Sequence, residues 1–99
     1  MASYTLSGGA GNDTILGDVD YGLEGRADTI YGEDGDDQIF GHHGNDLIDG
    51  GNDNDIITGG DANDTLSGGA GRDLLVGGRG LDVLGGGAGE DILLADQTS

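Results

Sequence analysis

The chain has 99 residues, of which 24 are glycine and none is proline or cysteine, so neither an ordinary globular core nor disulfides can hold it together. Twenty acidic residues against three arginines give a formal charge of −17, which argues against nucleic acid as a partner and favours cations. Apolar runs of three or four residues are too short for membrane insertion, and the low hydrophobicity at this charge is typical of a chain that is disordered by itself.

A nine-residue pattern, G-G-x-G-x-D-x-U-x with U a large aliphatic residue, runs through the chain. Residues 1–7 are predicted to be a partial repeat, because Thr5 to Ser7 matches the end of the pattern without its turn. The first complete copy is Gly8 to Leu16, and a loop insertion near 17–22 then breaks the register. Nine repeats make up the predicted roll over residues 8–94.

The uninterrupted part of the array starts at Gly32 and ends at Leu94, and residues 95–99 are predicted to be a frayed tail. The last three positions of each copy predict a short strand, whose eighth position faces inward while the seventh and ninth face outward. The predicted core is therefore one row of aliphatic side chains: Leu6, Ile15, Ile30, Ile39, Ile48, Ile57, Leu66, Leu75, Leu84 and Leu93.

The sixth position of every complete copy is aspartate, and these side chains are the main candidate metal ligands: Asp13, Asp28, Asp37, Asp46, Asp55, Asp64, Asp73, Asp82 and Asp91. Glycines at the first, second and fourth positions are typical of turns that need positive φ and close backbone approach, and such turns expose main-chain carbonyls as ligands. The candidate glycine ligands are Gly9, Gly11, Gly35, Gly44, Gly51, Gly60, Gly69, Gly71, Gly78, Gly80, Gly87 and Gly89.

Four copies depart from this glycine pattern. The second position is Glu33 in one copy and His42 in the next, while the fourth is Asp53 and then Ala62. Aspartate tolerates a left-handed conformation far better than alanine does, so the turn around Ala62 is predicted to be the least regular.

A core of one aliphatic side chain per repeat cannot offset the entropy of ordering so glycine-rich a chain, and the rows of carboxylates would repel one another. Hard divalent cations would supply the missing stabilisation. An all-oxygen donor set without cysteine suits Ca²⁺, which accepts six to eight oxygens in flexible geometry, better than Mg²⁺ or Zn²⁺.

The pattern resembles the calcium-binding nonapeptide of the RTX (repeats-in-toxin) family of secreted bacterial proteins. The resemblance implies an all-β fold, a right-handed parallel β-roll of two facing sheets with 18 residues per turn and calcium ions interleaved between turns. It also implies that each ion is held by the aspartates of alternate repeats and by nearby carbonyls. The implied pairs are Asp13 with Asp37, Asp28 with Asp46, Asp37 with Asp55, Asp46 with Asp64, Asp55 with Asp73, Asp64 with Asp82, and Asp73 with Asp91.

These pairs imply as many as about seven ions, which would reduce the formal charge from −17 to about −3. The resemblance further implies a non-enzymatic module of a bacterial protein that leaves the cell by type I secretion and folds on binding calcium outside. The absence of lysine and cysteine agrees with a non-catalytic role. The alternative is a polysaccharide-binding accessory or adhesin module that uses the surface of the roll.

The outward positions of alternate copies differ in character. One predicted outer face collects Leu16, Phe40, Ile56, Leu74, Val76, Ile92 and Leu94, while the other shows mainly Thr29, Tyr31, Leu47, Asp49, Thr65, Ser67 and Val83. Because soluble monomers rarely expose a large apolar patch, the Leu74, Val76, Ile92 and Leu94 face is predicted to contact a neighbouring domain or a second copy. Unpaired strands at the ends of the array offer a second route to self-association.

Overall fold

The computed structural model describes residues 5–17 and 27–95, and within these ranges every regular element is a three-residue β-strand. Residues 1–4 and 96–99 and the greater part of the predicted loop insertion lie outside the described residues. The described part contains no helix long and apolar enough to cross a membrane. The strands are β1 (Thr5–Ser7), β2 (Thr14–Leu16), β3 (Thr29–Tyr31), β4 (Gln38–Phe40), β5 (Leu47–Asp49), β6 (Ile56–Thr58), β7 (Thr65–Ser67), β8 (Leu74–Val76), β9 (Val83–Gly85) and β10 (Ile92–Leu94).

The strands alternate between two parallel five-stranded sheets. The odd sheet has the order β1-β3-β5-β7-β9, and the even sheet has the order β10-β8-β6-β4-β2. Each strand pairs with the strand two repeats away, as Ile56 does with Leu74, so one turn of the solenoid takes about 18 residues. The predicted all-β parallel roll of two facing sheets is therefore confirmed.

The register continues across the irregular part of the sequence. Thr5 pairs with Thr29 and Thr14 pairs with Gln38. These partners lie six residues further apart in sequence than the partners of later turns, because six extra residues separate β2 from β3. The two sheets therefore keep one register from β1 to β10.

The core is the single row of eighth-position side chains that the alternation along each strand predicts. Ile30, Ile39, Ile48, Ile57 and Leu75 are fully buried, and Leu66 and Ile15 are buried with them. Leu6 and Leu84, near the two ends, are only partly buried against this row. Leu93 is 43% exposed because no strand in the described residues lies beyond β10.

The two outer faces differ as predicted. The outward positions of the even sheet carry no charged residue, and its aliphatic side chains Leu16, Ile56, Ile92 and Leu94 are exposed. The odd sheet mixes apolar and polar residues, with Asp49 beside Thr65 and Ser67. The even sheet therefore presents the charge-free surface of a strongly acidic chain.

Glycine is needed in the turns for two different reasons, depending on its position in the repeat. All second- and fourth-position glycines in the described copies have positive φ, and so do the four non-glycine residues at these positions, Glu33, His42, Asp53 and Ala62, with φ between 71° and 74°. First-position glycines do not have positive φ, so the expectation of left-handed geometry there is wrong. They are needed because a Cβ at Gly32 would lie 2.6 Å from the carbonyl oxygen of Gly50.

The strain at Ala62 generates a stability prediction. A left-handed conformation costs a non-glycine residue about 1–2 kcal/mol, and the greater freedom of glycine in the unfolded chain offsets part of the relief. Ala62→Gly should therefore raise the free energy of unfolding by about 1 kcal/mol, measured by urea denaturation at a fixed, saturating calcium concentration.

Ala70→Gly is the matched control, because Ala70 lies in the next turn of the array, is exposed and does not have positive φ. It should destabilise the chain by about 0.5–1 kcal/mol. Equal effects of the two substitutions would contradict the strain at Ala62.

Candidate metal centre

The sixth-position carboxylates lie along the two edges of the roll, where the turns enter the strands. The turns before even strands form the even edge, and the turns before odd strands form the odd edge. The central six aspartates, Asp28, Asp37, Asp46, Asp55, Asp64 and Asp73, are at most 3% exposed, and the remaining three, Asp13, Asp82 and Asp91, are partly buried. Burial of so many carboxylates in a chain without lysine needs a compensating interaction.

Seven of these carboxylates tie adjacent turns together through one oxygen. The backbone N–H groups of seven sixth-position aspartates donate to Oδ1 of the aspartate two repeats later, at 2.8–2.9 Å. The bonded pairs are the seven that the resemblance implies: Asp13 with Asp37, Asp28 with Asp46, Asp37 with Asp55, Asp46 with Asp64, Asp55 with Asp73, Asp64 with Asp82, and Asp73 with Asp91. Their role as metal ligands stays a prediction.

The second oxygen of these carboxylates points into the turn. Oδ2 of Asp37, Asp55, Asp64 and Asp73 is buried and accepts no hydrogen bond among the described residues. Asp55 Oδ2 would lie only 2.6 Å from a Cβ at the first-position Gly50. Glycine at the first position therefore makes room for a carboxylate whose free oxygen is available to a cation.

Main-chain carbonyls of stacked turns lie on the same edges. All twelve candidate glycines are in the left-handed conformation, which brings successive turns into close approach. A Cβ at Gly69 would overlap the carbonyl oxygen of Gly51, and that oxygen accepts the N–H of Ala70 at 3.1 Å. The same contact joins Gly60 to Arg79 at 3.1 Å. Each edge thus combines paired carboxylates with stacked carbonyl oxygens.

This donor set fits a hard divalent cation. In residues 5–17 and 27–95 no three acidic or histidine side chains converge on one point, so an ion bound here would complete its coordination with main-chain carbonyls or water. Carboxylate pairs with carbonyl oxygens match the ligand preference of Ca²⁺, whose coordination tolerates irregular geometry. The buried, unpartnered Oδ2 atoms are the groups that a cation would neutralise.

Burial raises the pKa of four of the central carboxylates. It raises the pKa of Asp64 to about 8 and the pKa of Asp55 to about 7. The backbone N–H that donates to each carboxylate, from Asp37 to Asp55 and from Asp46 to Asp64, lowers its pKa, whereas adjacent carboxylates raise it. Burial also raises the pKa of Asp37 and Asp73 above the usual range. Asp55 and Asp64 are therefore partly protonated at neutral pH unless a cation is close.

A second ladder of side chains was missed by sequence reasoning, which treated the fifth position as variable. Oδ1 of Asp36 accepts the N–H of Asn54 at 2.9 Å, and Oδ1 of Asn54 accepts the N–H of Arg72 at 2.8 Å. On the odd edge, Asn45 and Asn63 make the same bonds to the following turns. The signal was present in the sequence, because asparagine or aspartate recurs at Asn12, Asp36, Asn45, Asn54 and Asn63.

The fifth- and sixth-position ladders run in opposite senses along the roll. Fifth-position side chains accept from the turn that follows, whereas sixth-position side chains accept from the turn that precedes. The fifth-position ladder stops on the even edge at Arg72, whose side chain has no acceptor oxygen. Each turn interface in the centre is thus held by two kinds of side-chain bond.

The adjacent histidines point to different surroundings. His43 Nδ1 lies 3.1 Å from Oδ2 of Asp61 at the exposed surface, one turn further along. The His42 ring lies 6.2 Å from the Phe40 ring, centroid to centroid. The two side chains therefore have different neighbours.

Comparison with known proteins agrees with these features. The family model described as the RTX calcium-binding nonapeptide repeat, in four copies, matches residues 5–21, 24–57 and 58–93. No curated protein and no solved structure matches the chain. The matched ranges cover most of the repeats that form the roll.

The raised pKa values predict how the metal-free chain responds to pH. Between the ordinary aspartate pKa near 4 and the raised values of about 7 and 8 for Asp55 and Asp64, the folded chain binds more protons than the unfolded chain. The free energy of unfolding must therefore fall as pH rises through this window. Metal-free chain should show more β-structure at about pH 5 than at about pH 8 by far-UV circular dichroism.

Calcium should show the opposite trend, because ligand carboxylates must be deprotonated. The calcium concentration at half-folding should fall as pH rises across the same window. A metal-free signal that is constant between about pH 5 and pH 8 would contradict the raised pKa values.

The fifth-position ladder can be tested at Asn54. Asn54→Ala removes the acceptor for the Arg72 N–H and should cost about 1 kcal/mol of unfolding free energy. Arg72→Ala is the control, because it belongs to the same ladder but contributes its backbone N–H, which the substitution keeps. Urea denaturation in calcium should separate the two variants, and equal stability would argue against the ladder.

Proposed function

The chain belongs to the RTX calcium-binding nonapeptide repeat family and is a calcium-binding structural module, and we propose that it folds when Ca²⁺ binds, after its parent protein has left the bacterial cell. In this proposal the ions sit along both edges of the roll, between aspartates of alternate repeats. The module stabilises a secreted protein and has no catalytic role of its own.

The buried carboxylate ladder is the observation that supports this proposal most. Asp37, Asp55, Asp64 and Asp73 each bury an oxygen that makes no hydrogen bond in the described residues. Burying a charged carboxylate with one oxygen unpaired costs more than the about 1–3 kcal/mol of a neutral unpaired group, which offsets what the burial of one aliphatic side chain contributes. A divalent cation between paired carboxylates would remove this cost at every turn.

The proposed ligand set consists of the chain's own oxygens. Asp55 is bonded to the turn before it and to the turn after it, so its carboxylate is placed to serve two adjacent sites. The carbonyls of Gly51, Gly69 and the equivalent turn residues lie on the same edge as these carboxylates. When bound, Ca²⁺ would supply the positive charge that the chain lacks.

The same chemistry accounts for the proposed place of folding. Extracellular calcium modules of modest affinity have dissociation constants of about 10⁻⁴ to 10⁻³ M. Such sites are empty at cytosolic calcium concentrations and filled outside the cell. The chain would cross a secretion channel unfolded and acquire its roll on exit, because ligand binding and folding are one equilibrium.

The alternative proposal is a polysaccharide-binding accessory module. The described surface has a shallow groove of about 420 Å³ beside the even sheet, lined in part by Asp36, Arg72, Glu90 and Leu74. Arg72 is the single basic residue of this lining, which also holds four acidic residues, so an anionic sugar finds little to bind. The calcium-dependent structural role therefore has the better support.

The proposal predicts a calcium-driven folding transition. Far-UV circular dichroism should show a disordered chain in EDTA at neutral pH and a cooperative gain of β-structure on addition of Ca²⁺. Mg²⁺ at equal concentration should not produce it, because Mg²⁺ demands compact octahedral geometry and keeps its waters. Well-dispersed amide resonances in EDTA at neutral pH would contradict the proposal.

The effect of removing one sixth-position carboxylate on calcium binding should depend on whether it belongs to one pair or to two. Asp55→Asn keeps an Oδ1 acceptor and the backbone N–H but removes the charge from two pairs, whereas Asp91→Asn removes it from one. The calcium midpoint of folding should rise more for Asp55→Asn. Isothermal titration calorimetry should also show a larger loss of bound ions for Asp55→Asn, and equal losses would rule out pairing by alternate repeats.

A further inference from the structure

The even face, formed by the outward residues of the even strands, carries exposed aliphatic side chains. Ile56 is 44% exposed although its strand β6 is paired on both sides, with β4 and with β8. Its exposure therefore does not depend on where the array begins or ends. Leu74 lies beside it in the next strand of the sheet. Soluble monomers rarely leave a contiguous apolar surface without a partner.

The shallow groove of about 420 Å³ lies where the even face meets the even edge. The seventh-position side chains Ile56, Leu74 and Ile92, from three successive even strands, line it. Fifth-position side chains of the even-edge turns, among them Asp36 and Glu90, also line it. Because both rows step from one turn to the next, the groove runs along the axis of the roll, with an apolar side and an acidic side.

The even edge carries exposed negative charge besides its sixth-position aspartates. Arg72 is the one basic residue of the described even-edge turns, whereas in the described odd-edge turns Arg79 balances Asp61. Five exposed carboxylates lie on the even edge outside the sixth position: Glu33, Asp34, Asp36, Asp53 and Glu90. None of the five belongs to the proposed calcium ligands, so they keep their charge in the calcium-loaded roll. Acidic side chains therefore flank the even face along one side only.

The spacing of the apolar row fits a helix. Adjacent strands lie about 4.8 Å apart, so Ile56, Leu74 and Ile92 span about 10 Å. One side of an α-helix presents a residue about every 5.4 Å, so three of them span about 11 Å. An extended strand presents one about every 6.7 Å, so three of them span about 13 Å. A helix that lies along the roll therefore matches the row better than an extended segment does.

The size of the even face also fits one helix. Five strands of three residues give a face of about 10 Å by 24 Å, and a helix with its side chains is about 10–12 Å wide. A standard interface between two folded chains takes about 800 Å² from each partner, which is more than this face offers. A second copy would also bring little basic surface to the acidic edge, because the chain has three arginines and no lysine.

We propose that the even face is a docking site for a cationic amphipathic helix that lies along the roll. Its apolar residues would pack on Ile56, Leu74 and Ile92, and lysine or arginine on one flank, about one per helical turn, would face the carboxylates of the even edge. Such charge complementarity fixes the orientation of a partner and speeds its association. The inference goes beyond the proposed calcium-dependent folding, although it needs the folded roll.

The test uses synthetic peptides as probes for the calcium-loaded chain. The first probe is a fluorescein-labelled peptide of about 14 leucine and lysine residues, with the leucines at helical spacing on one side. A second peptide has the same composition in scrambled order, and a third has glutamate in place of every lysine. Fluorescence anisotropy in saturating Ca²⁺ should show binding of the first peptide and at least about tenfold weaker binding of the other two.

The apolar side of the site is tested by substitution with threonine, which the repeat already carries outward at Thr14. Ile56→Thr combined with Leu74→Thr should weaken binding of the first peptide at least about tenfold. Leu47→Thr is the matched control, because Leu47 occupies the same position of the repeat on the odd sheet and is 48% exposed. It should leave the affinity unchanged. Circular dichroism should show that all these variants fold on calcium addition.

The acidic side is tested with asparagine, which the fifth position carries in other copies. Asp36→Asn keeps the Oδ1 acceptor for the Asn54 N–H, so the ladder stays intact. It should weaken peptide binding about twofold to fivefold at low salt and less at high salt. Arg72→Asn removes the one basic residue of the groove and should tighten binding by a similar factor. A merely structural role of these side chains would not give opposite signs.

Other outcomes overturn the proposal. A folded, calcium-loaded chain that does not bind the first peptide excludes the docking site and leaves calcium-dependent folding intact. Equal binding of the scrambled peptide reduces the interaction to general attraction between opposite charges. Dimers of the calcium-loaded chain that disappear in Ile56→Thr by sedimentation velocity assign the face to a second copy. A chain that circular dichroism shows to be unfolded in saturating Ca²⁺ removes the proposed function and, with it, the folded face.

Discussion

The roll depends on one carboxylate placed at the sixth position of each turn. Its Oδ1 accepts the N–H of the preceding turn, as Asp55 does from Asp37, and its Oδ2 is pressed against the first-position glycine of its own turn. The first position must be glycine because a Cβ there would overlap this carboxylate. The left-handed glycines bring adjacent turns close enough for the N–H of one turn to reach the carboxylate of the next. Turn shape, strand register and the need for a cation all follow from that contact.

Much of the fold could be predicted from the sequence because a strict repeat makes every local conformation recur in register. The repeat predicted the strands and the inward row by itself, whereas the pairing of Asp37 with Asp55 and of Asp55 with Asp73 along one edge was implied by the resemblance to the RTX family. The positive φ predicted for the first-position glycines was wrong, whereas the close backbone approach predicted there is confirmed at Gly32. The close approach of Asp55 Oδ2 to Gly50 was not predicted, because it depends on a side-chain rotamer that a pattern does not contain.

The fifth-position ladder was missed for a related reason. Asparagine is common in turns because its side chain bonds to nearby backbone and tolerates the left-handed conformation. Its recurrence at the fifth position therefore did not predict a bond to another turn. Only the structure shows that Asn54 and Asn63 accept from the turn that follows, while Asp55 and Asp64 beside them accept from the turn that precedes. The ligand role of the glycine carbonyls stays a prediction, because it concerns coordination and not backbone geometry.

The four left-handed residues that are not glycine occur one per repeat in four consecutive copies, at Glu33, His42, Asp53 and Ala62. Copies in the middle of a linear array gain from two neighbours, whereas terminal copies gain from one. Here the middle copies also carry the backbone strain, and the described copies beyond them carry glycine throughout. In the middle copies, the stabilisation from two neighbours is therefore offset by the cost of the left-handed conformation. This makes the stability of the copies more even along the array. An even stability favours cooperative unfolding of the whole roll over gradual unfolding from its ends.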